Sequence, residues 1–369
     1  MSQPQTASPR GATDVRFLRV LPELRASQVE DYRNAGRDGD VIYFSRHYDL
    51  GLSDIPPTFH SVTLGQAVRQ VLRSEADTFE LPEPFWARYA VHTVILALIW
   101  RINGLRRGRS RRARLYAIEN NDPIMALLGR PVPAALRAVL AAGLGLFILL
   151  SYERIAFGSD GAKNAYESLP LVSSIPSGTF LELPTGATDL PTRSSPGSKA
   201  IFIGNLESRK GLSTLLEAWP QVENDHPASH LTIVGAGALE QRVARWAAEK
   251  AQSRSFLGRV EHSQIDPLLD QADVVIVPSE RDGRWREQIG LPIVEGLSRG
   301  LTVVTTDETG LAPWLRSTGH VVVASPCSPA ELAEGILSAL ECPLPQHDVV
   351  ASLPREEARI QAARWLLEP

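Results

Sequence analysis

The chain has 369 residues, 43% of them apolar and 22% charged, with a net charge of −4, the balance of a soluble globular protein long enough for two domains. Its two cysteines, Cys327 and Cys342, stand outside any ligand-spaced cluster, which excludes a disulfide framework and a zinc site and suits a reducing cytosol. Lysine is scarce, four against thirty-four arginines, so a lysine at a motif position carries weight, and Lys210 is one of the four.

Residues 1–13 read as a polar, disordered tail without a signal segment. Strands are expected at Val15 to Leu21 and Gly39 to Ser45, with a helix-compatible stretch from Ser27 to Ala35 between them, the opening of a βαβ unit. His47 follows in a loop. Phe85 to Ile102 has the apolar stripe of an amphipathic helix, with Trp100 near one end. Seven arginines and no acid fall between Arg101 and Arg114. With Trp100, the residues Arg106, Arg107, Arg109, Arg111 and Arg112 make a candidate interfacial anchor for anionic lipid, against the alternative of a solvated basic loop. No nucleic-acid module accompanies them.

Leu115 to Ile118 reads as a strand running into Glu119-Asn120-Asn121-Asp122, polar groups at a strand's carboxyl end, where α/β folds place ligands. Ala134 to Leu150 is strongly apolar but interrupted by Arg137. Its clean core, from Ala138, falls short of the roughly 20 residues that span a bilayer, so a buried helix merging into a strand at Phe147 to Leu150 is expected. A short helix is expected over Ser159 to Leu169. Domain boundaries follow at 14–184, 185–198 for a turn-rich linker, and 199–345, with a final amphipathic helix in 346–369. From Ala200 strands and helices alternate regularly, the pattern of a doubly wound parallel sheet.

The densest chemistry lies between Ala272 and Gly300. Val274 to Val277 is a short apolar run closed by Pro278-Ser279, a strand buried on both faces. After a basic loop, Ile289 to Leu297 is helical, with Pro292 tolerated in the first turn. Gly290 lets helix-end amides approach an anion. Glu287 and Glu295 are eight positions apart, about 12 Å at the helical rise. Acids on both sides of an anion site suit a ligand with hydroxyls on both sides of a phosphate. A nucleotide sugar has that layout.

The stretch Glu287-Gln288-Ile289-Gly290-Leu291-Pro292-Ile293-Val294-Glu295-Gly296 resembles the E-x7-E signature of the retaining family-4 glycosyltransferases, enzymes of the two-Rossmann-domain GT-B architecture. Gly204-Asn205-Leu206-Glu207-Ser208-Arg209-Lys210-Gly211 resembles the family's diphosphate-binding element. Lys210 matches it, Asn205 stands at the family's arginine position, and Arg209 is the nearest substitute. Gly235 ends the next strand, and Phe256-Leu257-Gly258-Arg259-Val260 resembles the loop that meets the donor base through main-chain groups. The resemblance implies an α/β GT-B fold and metal-free, cofactor-free sugar transfer with retained configuration. It also implies that the last helix crosses back to the first domain.

In that reading Lys210 and the amides of Gly290 and Leu291 hold the leaving diphosphate, Glu287 the sugar and Glu295 the ribose. His47 and Asn120 are acceptor-side candidates. The expected partners are a nucleotide sugar, a saccharide or lipid-linked acceptor and an anionic membrane surface. The expected location is the cytoplasm, at the inner face of the cell membrane. The competing reading is a catalytically silent GT-B partner or membrane-recruitment module, motivated by Asn205.

Overall fold

The computed structural model describes residues 17–25, 28, 29, 32, 39–47, 55–109, 111–190 and 198–367. The expected tail, most of the 27–35 helix and residues 191–197 of the linker lie outside the described residues. The first domain carries a seven-stranded parallel sheet in the order β3-β2-β1-β4-β5-β6-β7. Its strands are β1 (Phe17–Leu24), β2 (Gly39–Arg46), β3 (Phe59–Ser61), β4 (Thr78–Glu80), β5 (Ala113–Ala117), β6 (Tyr152–Phe157) and β7 (Ser177–Thr179). Its helices are α1 (Leu64–Arg73), α2 (Ala90–Arg106), α3 (Pro123–Leu128), α4 (Ala134–Ser151) and α5 (Asp160–Glu167).

The second domain has a six-stranded parallel sheet, β10-β9-β8-β11-β12-β13. These are β8 (Lys199–Ile203), β9 (His230–Val234), β10 (Arg254–Phe256), β11 (Val274–Val277), β12 (Thr302–Thr306) and β13 (Val321–Val323). Around it lie α6 (Leu212–Asp225), α7 (Glu240–Ala248), α8 (Ile265–Leu269), α9 (Leu291–Ser298), α10 (Ala312–Ser317), α11 (Pro329–Glu341) and α12 (Gln346–Ala351). The last helix, α13 (Ala358–Leu367), packs Ala362 and Leu366 against Ala156 of the first sheet. Arg154 donates to the Trp365 carbonyl at 2.9 Å, and Arg359 pairs with Glu182 at 2.8 Å. Both sheets are doubly wound, as the sequence pattern implies: the order reverses at β1/β4 in one and at β8/β11 in the other, and ligands sit beyond the carboxyl ends of strands at such points.

Several elements differ from the sequence expectation. β1 continues through Pro22 to Leu24, because β4 pairs with it only at Phe17 to Arg19, so beyond Arg19 one side of β1 makes no demand on the missing N–H. α2 begins at Ala90 rather than Phe85. α4 stays helical through Ser151 instead of becoming a strand at Phe147, and it is not a buried helix: only Gly145, Ile148 and Ser151 are buried. By length and composition it is long and apolar enough to cross a membrane. The strands β3, β4, β7 and β10 are three residues each, too short to show a period in the sequence.

A buried ion pair ties α6 to β10, whose following loop reaches the site. Glu223 receives Arg254 Nε at 2.7 Å and Nη2 at 2.8 Å, Ser253 Oγ at 2.6 Å and Lys250 Nζ at 3.0 Å. Burial opposes its charge, but these donors hold its carboxyl down at about 2. A depressed carboxyl stabilises the fold above its unfolded value near 4.5, and that contribution is lost as pH falls towards about 2. We expect Glu223→Ala, which strands Arg254 in the interior, to lower unfolding free energy by about 3 to 5 kcal/mol at pH 7 in denaturant titrations. The difference from wild type should shrink as pH falls below about 4.5.

Candidate functional site

β11 lies beside β8, with Val274 opposite Ala200 and Val275 opposite Ile201. The loops leaving their carboxyl ends therefore meet. From β8 comes a single 3-10 turn, Ser208–Lys210, and from β11 come Ser279 and the loop to Glu287. Lys210 Nζ lies 2.6 Å from Glu287 Oε2, and Ser279 Oγ donates to the same oxygen at 2.8 Å. Lys210 and Glu287 are 77 positions apart in sequence, and only the strand order brings them together. Gly211 sets the turn: its φ is +69°, and a Cβ there would lie 1.7 Å from the Pro278 carbonyl oxygen.

Gly290 caps α9 with φ at +91°, and its carbonyl takes the first bonds from the amides of Ile293 at 2.9 Å and Val294 at 3.2 Å. The amides of Gly290 and Leu291, which open the helix, therefore have no intrahelical partner and face forward, at the positive end of the helix. Glu295 sits in the second turn, mostly buried, 3.9 Å from His262 Nδ1. Burial raises its carboxyl to about 7, with the His262 charge working the other way.

Gly204, Gly235 and Gly258 gather at the ends of β8, β9 and β10. The Gly235 amide donates to the Gly258 carbonyl at 2.9 Å, and a Cβ on Gly235 would meet the Gly204 carbonyl oxygen at 1.9 Å. The 257–260 loop, with Arg259 exposed and Val260 half-buried, so stands beside the glycine cluster. Asn205 is exposed. Arg209 is committed locally: its Nε is 2.6 Å from Glu207 Oε2, and its guanidinium lies 4.3 Å from the centre of the Trp285 ring, which Lys210 Nζ also approaches at 4.8 Å.

The first domain reaches this site through the loop after β5. Asn120 is 2% exposed, and its amide nitrogen donates to the Glu287 carbonyl at 2.9 Å and the Glu308 carbonyl at 3.1 Å. Asn120 thus brackets the domains, a different task from the acceptor-side role expected of it. Arg286 answers from the other side, donating to the carbonyls of Asn120 at 2.8 Å and Asp307 at 2.9 Å while its Nε lies 2.7 Å from Glu308. Gln288 donates to Glu119 at 3.2 Å, and Asn121 to the Arg284 carbonyl at 3.0 Å. His47 follows β2, its amide bonded to the Leu24 carbonyl at 2.9 Å at the end of β1.

Sequence reasoning missed Glu83 beneath this loop. Its carboxyl accepts the amides of Ile118 at 2.9 Å and Glu119 at 3.0 Å and the Tyr166 hydroxyl at 3.1 Å. Burial, with the Glu119 charge adding, raises it to about 8. Nothing in the local pattern marked it, since Glu83 stands 35 positions from the amide it holds. Arg286 and Glu308 were missed for the same reason. The Trp100 and Arg111 assignments to a membrane interface need correction: Trp100 is 1% exposed in the core, and Arg111, itself buried, lies over its ring at 4.4 Å. A depression at the opposite, amino-terminal end of the first sheet, lined by Leu18, His60, Gln66 and Arg73, carries none of these groups.

Two parallel-sheet α/β domains meeting at the carboxyl ends of their strands define a GT-B glycosyltransferase fold. The chain matches the profile of the family Glycosyl transferases group 1 over residues 193–356. It is similar to the phosphatidyl-myo-inositol mannosyltransferase of Mycobacterium tuberculosis, 31% identical over 172 residues, 45% of this chain and 44% of that protein. It is also similar to the glycogen synthase of the same organism, 29% identical over 148 residues, 40% of this chain and 34% of that one. The matched region therefore spans less than half the length of either relative.

Over the whole chain the fold is that of the lipopolysaccharide outer core galactosyltransferase WaaB, with a TM-score of 0.65, 10% identity, and coverage of 95% of this chain and 99% of that one. Anabaena HepE in complex with UDP aligns with a TM-score of 0.61 and 15% identity, covering 95% and 94%.

Each Asn120 hydrogen bond contributes roughly 1 kcal/mol to holding the domains together. Asn120→Ala should therefore favour domain separation by about 1 to 3 kcal/mol, read as a larger radius of gyration in solution scattering with the thermal midpoint nearly unchanged.

Proposed function

We propose that the chain transfers a sugar from a nucleoside diphosphate sugar to a saccharide or lipid-linked saccharide acceptor, retaining anomeric configuration and needing no metal, in the cytoplasm. The observation that carries this is the Lys210 and Glu287 pair set in front of the α9 amino terminus. As the glycosidic bond breaks, negative charge grows on the leaving diphosphate. A preorganised cation and helix-end amides aimed there stabilise it, and losing one such donor costs about 3 kcal/mol. Lys210 supplies the cation. With no donor bound, Glu287 neutralises Lys210; with one bound, the diphosphate takes the ammonium and frees the Glu287 carboxylate for sugar hydroxyls. Ser279 keeps that carboxylate oriented.

The acceptor hydroxyl would enter from the first-domain side, past the Asn120 bracket. Several relatives and neighbours support the donor class: the Corynebacterium glutamicum relative is a GDP-mannose-dependent mannosyltransferase, and Anabaena HepE holds UDP-glucose.

Lys210→Ala should lower turnover by at least about a hundredfold while leaving the thermal midpoint within a few degrees, and Glu287→Ala should do likewise. Nucleoside diphosphate release from a panel of nucleotide sugars measures this, and anomeric signals in the product's NMR spectrum test retention. Wild type inert towards every donor would favour the silent-module reading, while full activity in both variants would remove the assigned site.

A second expectation concerns pH. A carboxyl raised to about 7 holds its proton through the mildly acidic range and charges as pH climbs past that value, the cost to the fold building between its unfolded value near 4.5 and about 7. Ribose hydroxyls donate better to the charged form. Calorimetric affinity for a nucleotide sugar should rise from pH 6 to pH 8, and Glu295→Gln should flatten the rise; an identical slope in both proteins would separate Glu295 from the ribose.

A further inference from the structure

Of the fourteen large apolar side chains left exposed among the described residues, nine sit on α2 and α4. On α2 they are Val91, Val94, Leu98, Ile102 and Leu105, the last 78% exposed. Spacings of three and four put them in one stripe, opposite the buried Leu96, Ala97 and Trp100. On α4 they are Leu136, Val139, Leu146 and Leu150. The crossovers from β4 to β5 and from β5 to β6 step the same way across the sheet, so right-handed connections place α2 and α4 on one face. Side chains from α2 and the segment after it bind the end of α4: Arg101 donates to the Leu150 carbonyl, and Arg112 to the Leu149 carbonyl at 3.4 Å.

We propose that this two-helix face docks the protein on an anionic lipid monolayer, with α4 lying flat among the headgroups and its exposed leucines in the acyl region. The lipid is favoured over a second protein by what borders the face. Arg106, Arg107, Arg109 and Arg112 are exposed where α2 ends, and residues 101–114 contain no acid; Glu75, 3.6 Å from Arg107, and Asp77, 3.9 Å from Arg109, offset two of these charges and leave Arg106 and Arg112 as the stronger contributors. From Pro131 to Tyr152 the only charge is Arg137, which is held by Asp122. An apolar stripe that itself carries no acid and is edged by four exposed arginines matches the two layers of an anionic membrane surface.

Eighteen residues would rise about 27 Å, enough to cross a hydrocarbon core. Packing decides otherwise, because α4 is fixed along the domain. Ile148 lies in the core, and a Cβ on Gly145 would stand 2.0 Å from the Pro170 carbonyl oxygen. Freeing the helix to span would break that seat. The amino ends of α2 and α4 follow the carboxyl ends of β4 and β5, the side on which Asn120 meets the second domain. Docking therefore brings the lip of the cleft to the lipid surface, within reach of a lipid-linked acceptor.

The test is flotation of the full chain with vesicles of phosphatidylglycerol and phosphatidylcholine, or of phosphatidylcholine alone, at low salt and at about 1 M salt, where the Debye length falls to about 3 Å. Wild type should float with the anionic vesicles and keep part of its binding at high salt. The pairs Leu98→Glu with Ile102→Glu, and Val139→Glu with Leu146→Glu, change only exposed positions. Each pair should remove the salt-resistant fraction, weakening binding at least about tenfold. Glutamine at Arg106, Arg107, Arg109 and Arg112 should abolish the preference for anionic vesicles.

All variants should keep the thermal shift given by nucleotide sugar, whose site is in the other domain, so a failure here is distinguishable from a failure of the proposed transfer. Wild type that does not float at low salt would overturn the proposal, as would glutamate variants that float like wild type. So would a dimer in light scattering that those variants dissociate, because the face would then be covered by a second copy.

Discussion

The adjacency of β8 and β11 governs the second domain. Two residues of each strand in register are enough to bring two loops face to face, and Lys210, Glu287 and Ser279 hang from those loops with the α9 amides behind them. Parallel strands emit their loops on the same side, so a crossover that reverses direction leaves a gap at their carboxyl ends. Gly211 and Gly290 fit that gap because each takes a positive φ, and a side chain on Gly211 would strike the Pro278 carbonyl. The ion pair between Lys210 and Glu287 then satisfies two charges that would otherwise face each other's absence in a partly buried place.

The interdomain contact uses main-chain carbonyls as much as side-chain charge. Asn120 and Arg286 each donate to carbonyls across the boundary, and Glu308 receives Arg286 while its own carbonyl receives Asn120. Such a bracket is modest in energy, since each neutral hydrogen bond replaces one to water. Glu83 stiffens the first-domain side by fixing the amides of Ile118 and Glu119 from below, and its burial keeps it largely protonated at neutral pH, which avoids a second bare carboxylate beside Glu119.

The apolar face of α2 and α4 runs against ordinary surface design. A solvated helix puts polar residues outward, yet the exposed positions of α2 from Val91 to Leu105 are all apolar, and those of α4 are apolar or glycine apart from Arg137. Nothing in the core requires this, because Leu96, Trp100 and Ile148 already fill the interior side.

The sequence by itself determined the alternation of strands and helices from Ala200 onward, because buried parallel strands are short apolar runs and their helices carry a period that survives without tertiary context. It also carried the family likeness around Glu287 and singled out Lys210, through rarity and a local Lys-Gly turn. It could not determine whether Trp100 or Leu105 faces outward, because α2 is apolar on both sides and only the sheet beneath it decides which side is covered. Tertiary structure likewise decided that Asn120 would bridge domains, that Arg209 would turn to Glu207, and that α4 would lie open. Each of these depends on partners remote in the chain or on what packs alongside, and a local pattern carries no record of either.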